Sequence, residues 1–195
     1  MRILQLLWLG SCLGHALAHA EQAVIDNSGQ SANGILAVNQ AAGNDNQQGN
    51  LQALAVSTTA SHASVSLSRQ PLGASTAATT DARASITGAA FSGSQGLMAI
   101  NQTAGNANQS LNALSLAVSA RPQATALPSA AADSLLANTA GSAPALASDS
   151  NGNSHAQTDI SAAAFQGSRG LVQLNQIAGS HNQAVNVVAV QWANP

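Results

Sequence analysis

The chain writes one pattern three times. Residues 34–56 read GILAVNQAAGNDNQQGNLQALAV, residues 96–118 read GLMAINQTAGNANQSLNALSLAV, and residues 170–192 read GLVQLNQIAGSHNQAVNVVAVQW. No gap is needed to bring Asn39-Gln40, Asn101-Gln102 and Asn175-Gln176 into the same place. The same alignment matches Gly43, Gly105 and Gly179, then Asn46-Gln47, Asn108-Gln109 and Asn182-Gln183, and finally Asn50, Asn112 and Asn186. At a neighbouring apolar position Leu36, Met98 and Val172 differ freely. Polar positions held while apolar ones drift are what identical layers demand, because stacking turns one residue into a column.

The likeness continues upstream. ITGAAF, ending at Phe91, matches ISAAAF, ending at Phe165, and Gly93-Ser94 matches Gly167-Ser168. Carried back without a gap, the first copy has Val24 where the others have Ile86 and Ile160, and Gly29 where they have phenylalanine. The units are therefore set at 24–56, 86–118 and 160–192, the first being degenerate. Terminal repeats of stacked proteins are often atypical, because one of their faces meets solvent or a partner. Residues 57–85 and 119–159 are rich in Ala, Ser and Thr, hold Pro71, Pro122, Pro128 and Pro144, and share no register; they read as flexible linkers. A short helix is anticipated over 129–140, with Ser129 as its N-cap. Charge avoids the units, which hold only Asp26, Asp45 and Arg169. Charges and prolines flanking uncharged apolar segments restrain aggregation.

Each unit reads as strands. Glycine and asparagine interrupt the pattern too soon for a stable helix, and beyond Gly105 the residues Asn112, Leu114, Leu116 and Val118 alternate with Ala113, Ser115 and Ala117. Sharp bends are expected near Gly93, Gly105 and their counterparts, since Gly and Asn accept positive φ. A lone unit has no means of burying its apolar side chains or pairing its backbone; stacked copies do. The fold class expected is all-β, with three imperfect repeats stacked as cross-β or β-solenoid-like layers and a monomer disordered before assembly. At a spacing of about 4.8 Å three layers form a slab roughly 15 Å thick. Amide ladders are expected along Asn39, Asn101 and Asn175, along Gln40, Gln102 and Gln176, and along the later Asn, Gln and Asn columns, because a side-chain amide is donor and acceptor at once. Apolar stacking is expected for Phe91 with Phe165, for Val38, Ile100 and Leu174, and for Leu54, Leu116 and Val190. Whether the units stack within one chain or between chains stays open at this stage.

The remaining features bound the function. Arg2, an apolar stretch over 3–18 and the small residues Ala18 and Ala20 form a secretory signal with cleavage after Ala20. Cys12 follows Leu9-Gly10-Ser11, but the apolar run before it is too short for a lipoprotein signal, so no lipidation is expected. Charged residues are 6% of the 195, lysine is absent, and the formal net charge is -2. That balance leaves no basic patch for nucleic acid and little repulsion between copies. His62, His155 and His181 share no ligand spacing, so neither metal nor cofactor is expected. Asp45, Ala107 and His181 share one repeat position and are read as a solvent-facing ridge. Asn101 and Asn108 begin glycosylation sequons, yet the repeat already explains both asparagines. Catalytic elbows and clustered carboxylates are missing, so no enzyme is expected.

With N-Q-x-A-G-x-x-N-Q in three imperfect repeats, two unequal Ala/Ser-rich linkers and a signal segment, the chain resembles the subunits of the Fap (functional amyloid in Pseudomonas) family over its whole length. Curli subunits share the Ser/Gly/Asn/Gln character, but their repeats are shorter and joined almost directly. The resemblance implies secretion through the periplasm with a chaperone there, passage through an outer-membrane pore, and assembly outside the cell into biofilm-matrix fibrils with a related major subunit. The major subunit of that family carries a Cys-x-x-Cys near its C-terminus. This sequence ends QWANP, so it is more similar to the minor, nucleating subunit. The rival reading is a monomeric β-solenoid binding a surface, as adhesins and ice-binding modules do. Such modules favour threonine arrays, whereas the units hold only Thr87 and Thr103.

Overall fold

A computed structural model describes residues 20–65, 81–120, 124–128 and 155–193. Ala18, Cys12 and the helix anticipated over 129–140 lie outside the described residues. The first unit supplies β1 (Ala20–Asp26), β2 (Asn33–Ala42) and β3 (Gln47–Ser57), followed by β4 (Ser61–Val65). The second supplies β5 (Asp81–Thr87), β6 (Gln95–Ala104) and β7 (Gln109–Ser119), followed by β8 (Ala124–Pro128). The third supplies β9 (His155–Ile160), β10 (Arg169–Ala178) and β11 (Gln183–Ala193). The fold is all-β in layers. Strands of one unit never pair with each other among the described residues. They pair in parallel with their equivalents, in the sheet orders β1-β5-β9, β10-β6-β2 and β11-β7-β3, with β4-β8 as a fourth, two-stranded sheet. The repeat register predicts the pairing: Asn39, Asn101 and Asn175 are Cα partners, and so are Asn50, Asn112 and Asn186. The units thus stack within one chain, with the second between the first and the third.

Side chains from successive sheets fill the spaces between them. Between the β1 and β2 sheets lie Ile25, Ile86, Phe91, Met98 and Ile100, bordered by Leu36, Val38, Phe165 and Leu174. Farther along the same interface a cluster of alanines meets, Ala23, Ala82, Ala84 and Ala104. On the far side Ala63 and Ala126 of β4 and β8 pack on Ala117. The middle strand β6 is buried on both faces from Met98 to Ala104, which explains why its sequence does not alternate. Phe91 and Phe165 stack with ring centroids 5.2 Å apart. The column stops at Gly29, where an added Cβ would lie 2.6 Å from Cδ1 of Phe91. The glycine in the first unit therefore makes room for the ring of the second.

Two expectations change. The equivalent of Ile86 and Ile160 is Ile25, not Val24. Ile25 is buried and Val24 is 43% exposed. The bend joining β1 to β2 holds one residue fewer than its counterparts, so a gapless alignment runs true from Gly29 onward and slips by one before it. The segments set aside as linkers also contribute structure. β4 and β8 lie inside them and pair in parallel, while β5 and β9 begin before the expected unit boundaries. A third sheet with an alanine-lined outer face needs covering, and short strands following β3 and β7 are the nearest chain available.

Candidate functional site

Alternation along β2, β6 and β10 sends successive residues to opposite faces, which separates the Asn-Gln pair. The asparagine faces β3, β7 and β11; the glutamine faces β1, β5 and β9. On the first side two asparagine columns interlock. Asn101 Nδ2 donates to Oδ1 of Asn39 at 3.0 Å and to Oδ1 of Asn50 at 3.0 Å. Asn112 Nδ2 donates to Asn50 at 3.0 Å and Asn101 at 3.0 Å, Asn175 Nδ2 to Asn101 at 3.0 Å and Asn112 at 3.2 Å, and Asn186 Nδ2 to Asn112 at 3.0 Å and Asn175 at 2.8 Å. Every amide along this seam thus touches its own column and the facing one. Asn101 and Asn112 are fully buried. In a dry interior an unmade amide bond costs roughly 1–3 kcal/mol, so the seam fixes layer register as well as contributing stability.

On the other side Gln102 Nε2 donates to Oε1 of Gln40 at 2.9 Å, and Gln176 Nε2 to Oε1 of Gln102 at 2.9 Å. The same nitrogens reach main-chain carbonyls of the first sheet, Gln102 to Ser85 at 2.8 Å and Gln176 to Asp159 at 3.0 Å. The second Asn-Gln pair governs the bend before β3, β7 and β11. Asn108 Nδ2 donates to Asn46 at 3.1 Å and Asn182 Nδ2 to Asn108 at 3.2 Å, while the main-chain amides of Asn108 and Asn182 donate to the same oxygens. Gln109 donates to Gln47 at 3.1 Å, and Gln183 to Gln109. Gly43, Gly105 and Gly179 open this bend with φ of 99°, 112° and 107°. A Cβ at Gly105 would be driven into the carbonyl oxygen of Gly179 one layer away.

The structure brings all the expected amides into columns. Of the apolar sets, Val38, Ile100 and Leu174 border or fill the core, and Phe91 stacks on Phe165. Leu54, Leu116 and Val190 are in register but sit at the rim, Leu54 being 53% and Val190 39% exposed. Ala20, beside the expected cleavage point, opens β1 and is exposed. Asp45 and His181 are exposed while Ala107 between them is buried, so the ridge is real only at its ends. Asn101 and Asn108 are 0% exposed, out of reach of glycosyl transfer in this fold. Sequence reasoning passed over three contributors. Asn106 Oδ1 accepts the main-chain amide of Asn44, and Ser180 Oγ that of Asn106. Ser94 Oγ donates to the Gly29 carbonyl at 2.8 Å and Ser168 Oγ to the Phe91 carbonyl at 2.6 Å, bracing the first bend between layers. Gln48 joins Thr103 at 2.9 Å. The signal for the first two was a column of small polar residues (Asn44, Asn106, Ser180) and the matched Ser94 and Ser168.

No further strand covers β1, β2 and β3 at one end or β9, β10 and β11 at the other among the described residues. The chemistry on offer is main-chain and amide hydrogen bonding repeated in one direction. The model of the "Functional amyloid protein FapB/FapC family" matches residues 13–193. No solved structure matches the chain.

Proposed function

The chain belongs to the FapB/FapC family of functional amyloid proteins, and from that premise we propose that it is a secreted subunit which nucleates extracellular cross-β fibrils by stacking its layers on further copies and on a longer relative. The observation that carries the reading is the pair of ends that no strand covers among the described residues. Soluble proteins usually protect sheet edges with lysine, proline or a cover. Here the edge strands β2, β3, β10 and β11 carry neither lysine nor proline. Each end displays the repeat that the buried layers already pair with, so an incoming unit meets a surface of known register. The nucleating, FapB-like role is favoured over that of a bulk subunit by the lack of any Cys-x-x-Cys in the 195 residues. Export through the periplasm and an outer-membrane pore belongs to the same proposal and is supported by the signal-like segment before Glu21.

The test is seeded growth. The chain from Glu21 onward, freshly desalted, is followed by thioflavin fluorescence with and without a trace of preformed fibre. A lag removed by the seed, with fibre diffraction at about 4.8 Å along the axis, is expected. A flat trace from a folded monomer would sink the proposal and favour a solitary β-solenoid. Nucleation is tested separately, by adding this chain in trace amounts to the longer relative and measuring the lag.

A further inference from the structure

Every side-chain-to-side-chain hydrogen bond along the five amide columns runs the same way. Asn101 donates to Asn39, Gln102 to Gln40, Asn108 to Asn46, Gln109 to Gln47 and Asn112 to Asn50. Asn175, Gln176, Asn182, Gln183 and Asn186 donate in turn to the second unit. From amide to amide along a column the donor belongs to the later unit; only toward main-chain carbonyls does an amide of these columns reach forward, Asn46 Nδ2 to Gly105 at 2.7 Å and Asn108 Nδ2 to Gly179 at 2.8 Å. Main-chain carbonyls fix this direction, because they only accept: Asn101 Nδ2 also reaches the Gly49 carbonyl at 2.7 Å, Asn175 Nδ2 that of Leu111 at 2.9 Å, and Gln102 Nε2 that of Ser85 at 2.8 Å. Turning any of these amides over would set oxygen against oxygen.

The two ends of the stack therefore differ chemically. At the first unit, the oxygen of Asn39 is taken and its Nδ2 has no acceptor among the described residues. At the third, Oε1 of Gln176 and Oδ1 of Asn182 and of Asn186 accept nothing among the described residues. One end offers N–H, the other oxygen. Charge follows the same sense. Asp45, Ala107 and His181 occupy one column, as the bonds from the Ala107 amide to the Asn44 carbonyl and from the His181 amide to the Asn106 carbonyl show. Inside one chain Asp45 and His181 are two layers apart. Seating the third unit of one copy on the first unit of another makes them adjacent.

We propose that these ends are a matched acceptor face and donor face, and that a second copy of this chain docks only head to tail, third unit on first. Two first-unit ends brought together would set amide N–H against amide N–H, and two third-unit ends oxygen against oxygen, each with buried partners unmet. The inference rests on the fibre reading above and adds to it the direction of growth and the residues that meet at each junction.

Cysteine mapping tests it. Asp45→Cys and His181→Cys are made separately in the full chain carrying Cys12→Ser, mixed, grown into fibres and oxidised. Neighbouring layers lie about 4.8 Å apart, within reach of a disulfide, whereas like positions in a head-to-tail fibre recur only every third layer, roughly 14 Å. The expected product is a disulfide between positions 45 and 181, with no dimer when either variant is grown alone. Asn33→Cys and Arg169→Cys, exposed and in one column at the start of β2 and β10, give a second pair should the bend reject cysteine. Fibres holding 45–45 or 181–181 links, or fibres that form no link with either pair, would overturn the proposal alone. A parent chain that never grows from seed would overturn it together with the fibre reading.

Discussion

At the scale of the residue, the interlocked asparagine columns are cooperative because each of their buried amides serves two columns. Asn101 bonds to Asn39, Asn50, Asn112 and Asn175 and to the Gly49 carbonyl, whereas Asn39 lies exposed at one end. In the unassembled chain Asn101→Ala is expected to lower the guanidinium midpoint by more than Asn39→Ala, the buried loss being about 1–3 kcal/mol and the exposed one about 1. Equal shifts would mean that the columns act independently. These asparagines were legible in the sequence because all three copies hold them. Asn106 escaped notice because its column ends in Ser180, so that identity failed where function as a polar brace did not. The direction of the amides was illegible in principle: Asn and Gln carry donor and acceptor alike, and only the surrounding carbonyls choose between them.

At the scale of the element, the bends decide how closely layers approach. Gly105 and Gly167 both have positive φ, but an added Cβ at Gly167 meets nothing within 4 Å while at Gly105 it strikes the next layer. Gly167→Ala is expected to slow seeded growth a few-fold through backbone strain of about 1 kcal/mol, and Gly105→Ala to abolish it. Thioflavin kinetics on the two variants decide this; similar rates would remove the close approach from the argument. Strand type and inter-unit register were readable from period two and from the matched amides. The slip from Val24 to Ile25 was not, since one missing residue in a bend leaves the rest of the alignment intact. Nor were β4 and β8, because Ser61–Val65 and Ala124–Pro128 pair through the main chain and share no side-chain pattern except alanine at Ala63 and Ala126.

At the scale of the molecule, three layers and the segments between them have separate duties. Replacing Asn101, Gln102, Asn108 and Gln109 together by alanine is expected to slow fibre growth by orders of magnitude, while deleting residues 129–150, beyond β8, is expected to change it less than threefold. Comparable effects from the two would shift the weight of assembly from the amides to the connecting segment. The aromatic column has a consequence for any fibre built head to tail. Its rings come in pairs, Phe91 on Phe165, and Gly29 then leaves a gap before the next pair. The backbone would repeat every layer, yet the electron density of the side chains would repeat only every third. Such a fibre is a commensurate superlattice: beside the reflection at about 4.8 Å it carries a weak meridional one near 14 Å, from which the length of a single chain can be read off a film.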